Sequence, residues 1–136
     1  MTVVPPEPLR GPVRVLKTKA FARFARKAGL DDAALCGAVA DSEHGLIDAD
    51  LGGGVIKQRL ARRGQGKSGG FRVVILYQRS ARAFFVYGFA KSERANILQD
   101  ELAALKELAS EMLAYGEAEM MKAIASGPLI EVTCNE

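Results

Sequence analysis

A chain of 136 residues with 49% hydrophobic and 26% charged side chains has the size and balance of one globular domain with a buried core. The longest apolar run, Ala83–Ala90, spans eight residues, far short of the roughly 20 that a membrane helix needs. The net charge is only +3, yet residues 51–92 hold nine basic and no acidic side chains, while residues 95–136 hold two basic and eight acidic. Such a cationic block says more about a polyanionic partner than about a fold.

In chain order, residues 1–12 are proline-rich and lack a charged segment followed by an apolar one. They read as a flexible lead-in rather than a secretory signal. Val13–Thr18 is short, partly alternating and β-branched, which predicts a strand. KAFARFARKAGL then sets Ala20, Phe21, Phe24, Ala25 and Ala28 on one helical stripe, with Thr18 suited to cap its start and Gly29 its end. Asp31 or Asp32 can cap a second helix that stops near Gly45, so the two form a helical hairpin.

After the bend at Gly52–Gly54 the period changes. GVIKQRLAR alternates as a strand with Val55, Lys57 and Arg59 on one face. RRGQGKSGG is a polar loop, and FRVVILYQR and RAFFVYGFA are two further strands joined by a tight turn. From Leu98 the stripe Leu98, Leu102, Leu105, Leu108 and Met112 marks a long helix, continued after Gly116 through Met120, Met121 and Ile124. The expected fold is α+β over residues 13–133: an N-terminal strand and helical hairpin, an antiparallel β-meander of three strands, and C-terminal helices, with one layer of helices on the sheet.

Several motifs reduce to ordinary structure. GQGKS lacks the glycine a phosphate loop needs five positions before Gly66, where Ala61 stands, and a strand follows it instead of a helix. Cys36 and Cys134 have no CxxC or Cys/His neighbours and read as a buried thiol and a free thiol in a reducing cytoplasm, not a disulfide. His44, the only histidine, reads as a cap at a helix C-terminus, and Glu101, Glu107 and Glu111 as a solvated helix face. Phe85, Tyr87 and Phe89 alternate along the last strand and read as core under a helix. No cofactor or metal is expected.

The basic block does not reduce in this way. Forty-two residues without a carboxylate point to nucleic-acid phosphate. Lys57 and Arg59 share a strand face, and Arg72 follows a Gly-Gly pair where backbone can approach closely. Arg62, Lys67 and Arg82 are further RNA-binding candidates.

The segments GVIKQRL, GKSGGFRVVILY and FFVYGFAKSERANI, followed by a leucine-rich helix ending in AIASGPLIEV, resemble bacterial RelE/HigB-type toxins of type II toxin–antitoxin modules. The resemblance covers about residues 13–133. It implies a cytoplasmic endoribonuclease that cuts mRNA, commonly on the ribosome, and a helix-turn-helix antitoxin that silences it. Its basic site residues fall on Lys57, Arg59, Arg72 and Lys91. Some members place a tyrosine shortly after the last of these, where this chain has Asn96, Ile97 and Leu98, so the resemblance identifies no proton donor.

Metal-free RNA cleavage needs a base for the ribose 2′-hydroxyl, cations around the pentavalent phosphorane, and an acid for the leaving oxygen. Lys57, crowded by arginines that disfavour its protonated form, is the candidate base, and Arg72 the candidate for phosphorane charge. Two other readings stay open: a nucleic-acid-binding protein of the same fold without catalysis, and a ParE-like inhibitor of DNA gyrase.

Overall fold

The computed structural model describes residues 13–61 and 70–134. The lead-in over 1–12 and the candidate residues Arg62 and Lys67 lie outside the described residues. In chain order the elements are β1 (Arg14–Thr18), α1 (Lys19–Ala28), α2 (Asp32–Glu43), β2 (Ala49–Gly52), β3 (Val55–Leu60), β4 (Phe71–Gln78), β5 (Arg82–Ala90), α3 (Gln99–Met112), α4 (Glu117–Ser126) and β6 (Leu129–Val132).

The helical hairpin is set by its caps. Thr18 accepts the Phe21 N–H at 3.1 Å and Asp31 accepts the Ala34 N–H at 2.9 Å, so each helix satisfies one of its orphan donors. Gly29 closes α1 at φ 74°, a left-handed conformation that glycine adopts without a Cβ penalty. His44 is the C-cap of α2, as its position predicts.

The sheet runs β2-β3-β4-β5-β1-β6, antiparallel except where β1 pairs with β5. The predicted meander is β3-β4-β5, and β2 and β6 extend the sheet at its two edges. Helices cover both faces, where the sequence had suggested a single layer. On one face α1 and α2 bring Phe21, Leu35 and Val39 against Ile56, Val73, Ile75 and Phe85. On the other, α3 and α4 bring Ala109, Met112 and Met120 against Leu16, Val55, Val74, Leu76 and Phe84. Two-sided cover explains why β4 is a continuous apolar run rather than an alternating one. Gly88 sits where the Phe24 ring of α1 fills the space a Cβ would take.

Two expectations about side chains are corrected. Cys36 on α2 and Cys134 beyond β6 are joined as a disulfide, with Cα atoms 5.6 Å apart and a sequence separation of 98. The fold brings the two distant thiols within bonding reach, which spacing could not show. In β5, Val86 is an extra residue: Val74 pairs with Tyr87 and Ile75 with Phe85. This bulge puts Phe85 under α1 and α2 but leaves Tyr87 against the α3 side.

Candidate functional site

The antiparallel registers align two rows of side chains across β3, β4 and β5. Lys57, Val74 and Tyr87 form one row, and Arg59, Arg72 and Phe89 the next. Alternation places them on the face that carries Val55, the α3/α4 face. The opposite face of β3 is fixed by Gln58, whose amide donates to Ser42 Oγ at 2.9 Å and the Leu46 carbonyl at 2.8 Å. That anchor sets the register by which Lys57 and Arg59 face the other way.

The cations of this face are not bare. Arg59 Nε donates to Asp48 Oδ1 at 2.8 Å; Asp48 lies just before β2, outside the carboxylate-free stretch. Arg72 is only 5% exposed. Its Nη1 donates to the Phe71 carbonyl at 3.4 Å. Lys57 is half-buried, and its Nζ lies 3.4 Å from Asn96 Oδ1. Lys91 is exposed just past β5, its N–H donating to the Gly70 carbonyl at 3.0 Å. Arg82 is not brought to this cluster. It pairs with Gln78 at the far end of β4, about 20 Å from Arg72 at strand rise, and donates to the Tyr115 carbonyl at 2.7 Å.

The fold adds a residue the sequence reading missed. Arg94, in the turn after β5, donates from Nη1 to Tyr87 Oη at 2.6 Å and from Nε to the Asn96 carbonyl at 3.0 Å. Its guanidinium lies 5.8 Å from the centroid of Tyr87 and 5.3 Å from that of Phe89. Glu101 holds it through two oxygens, Oε1 at 2.6 Å and Oε2 at 3.1 Å. Glu101 also accepts the Leu98 N–H at 2.8 Å, which caps α3.

Glu101 therefore does not belong to a solvated face, as its helical position had suggested. Its hydrogen bond from Arg94 and then that from Leu98 hold its carboxyl below the usual carboxylate range, and the same pairing raises Arg94. An arginine shortly before a helix start with glutamate at the third helical position was the readable signal. A sequence alone could not say that the turn folds back over β5.

Asn96 links the two halves of the site. Its side-chain oxygen faces Lys57, its carbonyl accepts from Arg94, and Arg94 reaches Tyr87. Among the described residues no group of His, Cys, Asp and Glu is arranged to hold a metal ion, and no helix is long and apolar enough to cross a membrane.

The family model described as the RelE toxin of the RelE/RelB toxin–antitoxin system matches residues 13–132. Among curated proteins, none matches the chain.

Proposed function

This chain belongs to the RelE toxin family, and on that premise we propose that it is an endoribonuclease that cleaves mRNA, acting in the cytoplasm on the translating ribosome. It is the toxin of a toxin–antitoxin system, and the family implies a cognate antitoxin as its partner. The observation that carries the ribonuclease reading is the gathering of Lys57, Arg59 and Arg72 in two adjacent cross-strand rows on one sheet face.

Lys57 in its neutral form takes the proton of the ribose 2′-hydroxyl. The 2′-oxygen attacks phosphorus and the bond to the 5′-oxygen breaks, which leaves a 2′,3′-cyclic phosphate and a 5′-hydroxyl. Arg72 stabilises the charge of the phosphorane. Its burial supports that role, because a cation held in place and shielded from water acts more strongly than a solvated one. Arg59 and Lys91 hold flanking phosphates, for which Arg59 shares its charge with Asp48.

Induced expression followed by mapping of RNA 5′ ends tests the proposal. Wild-type protein is expected to produce new cuts within translated frames. Lys57→Ala and Arg72→Lys are each expected to lose roughly 100- to 1000-fold in cleavage, the scale of a lost oxyanion donor, whereas Arg59→Ala mainly weakens binding. Arg72→Lys keeps a buried cation while removing the planar fork. Growth arrest without new RNA ends, or with a DNA-damage response, would contradict the ribonuclease reading.

A further inference from the structure

We infer that Tyr87 donates the proton to the leaving 5′-oxygen and that Arg94, clamped by Glu101, is the positioning residue that holds the Tyr87 hydroxyl toward Lys57 and Arg72. This assignment rests on the ribonuclease reading above and supplies the acid that the reading lacks.

Geometry carries it. Lys57 and Tyr87 occupy one cross-strand row with Val74 between them, so their backbones stand two strand spacings apart, about 10 Å. In an in-line displacement the attacking and leaving oxygens lie on opposite sides of phosphorus. The base and the acid must then flank the phosphate, each within about 3 Å of its oxygen. A row with a lysine at one end and a phenol at the other, beside a row with two arginines, meets that demand.

The hydrogen bonds define direction as well as place. Arginine only donates, so Arg94 Nη1 gives its hydrogen to Tyr87 Oη and the phenol keeps its own proton to give. After transfer, the guanidinium faces the negative charge left on the phenolate oxygen. Glu101 engages both terminal nitrogens of Arg94, and a bidentate pair fixes a guanidinium plane. The Arg94 guanidinium lies 5.8 Å from the Tyr87 centroid and 5.3 Å from the Phe89 centroid, so it borders both rings while its hydrogen bond holds the phenol oxygen.

In the step itself the 2′-oxygen bonds to phosphorus as its proton passes to Lys57 Nζ, the P–O5′ bond breaks, and the Tyr87 proton passes to O5′. The enzyme then holds a lysine ammonium and a tyrosine phenolate. Proton exchange with water returns both to the starting state, with no other reactant needed.

The test compares ribosome-bound mRNA carrying an ordinary linkage at the mapped cleavage position with the same mRNA carrying a bridging 5′-sulfur there. A thiolate leaves without being protonated, so a lost acid is rescued by sulfur and a lost base or a damaged fold is not. Tyr87→Phe keeps the ring and is expected to lose about 100-fold or more on the oxygen substrate and less than about threefold on the sulfur substrate. Glu101→Gln retains an acceptor for the Leu98 N–H while losing the ionic hold on Arg94. It is expected to show the same selective loss in smaller measure, as is Arg94→Lys. Lys57→Ala is expected to lose activity on both substrates.

Equal losses on the two substrates for Tyr87→Phe, or no loss on either, would overturn the assignment while leaving the ribonuclease reading intact. Wild-type protein inert toward both mRNAs would overturn that reading and the assignment together.

Discussion

Glu101 makes its place in the molecule by two bonds at once, to the Arg94 guanidinium and to the Leu98 N–H. Both favour the ionised carboxyl, so its folded pKa lies below the ordinary carboxylate value. A depressed carboxyl contributes stability above its unfolded pKa and loses it as pH falls through the folded one. The Arg94 side-chain N–H resonances are therefore expected to stay sharp at neutral pH and to broaden as Glu101 protonates on acidification. In Glu101→Gln they should already be broad at neutral pH, and sharp resonances in that variant would contradict the clamp. Which residues the sequence revealed follows the same division. That Lys57 and Arg59 share a sheet face was legible, because alternation marks it locally. The contacts of Tyr87, Arg94 and Glu101 were not, because they cross a turn whose path no period encodes.

At the scale of elements, the long strongly patterned segments and the five-residue strand β1 were legible in the sequence, and the four-residue strands were not. Both members of the helical hairpin carry a cap side chain that was readable beforehand, Thr18 and Asp31. The bend at 52–54 was readable because all three glycines take positive φ, at 87°, 62° and 86°, which other residues resist. Strands β2 and β6 have four residues each, too few for alternation to show, and both exist by pairing along the sheet edges. The bulge at Val86 defeated the period-two reading of β5, since one extra residue reverses which face the preceding side chains take. The Cys36–Cys134 bond ties α2 to the segment after β6 across 98 residues. A loop of that length is worth about 4–5 kcal/mol on the chain-entropy estimate. Reduction, or Cys36→Ser, is expected to lower the urea midpoint markedly. An unchanged midpoint would mean that the bond does not constrain the unfolded chain.

For the whole molecule, the uneven charge seen in the sequence is redistributed by folding. Arg59 meets Asp48, Arg79 donates to the Glu43 carbonyl, and Arg82 turns to Tyr115 at the far end of the sheet. Among the described residues, the cations of the proposed site form a compact group. RNA binding is therefore expected to depend on salt with a modest slope, about −0.7 in log affinity per log salt for each phosphate contacted by Lys57, Arg59, Arg72 and Lys91. Affinity that does not change with salt would remove RNA as the ligand, and Lys91→Ala should lower the slope by about one such contact. The central claim is that this sheet face cleaves RNA through its own side chains. The most direct measurement is the chemistry of the ends formed when purified toxin acts on ribosome-bound mRNA. The account predicts a 2′,3′-cyclic phosphate and a 5′-hydroxyl, produced by wild-type protein and lost in Lys57→Ala; ends bearing a 5′-phosphate, or equal cleavage by Lys57→Ala, would contradict it.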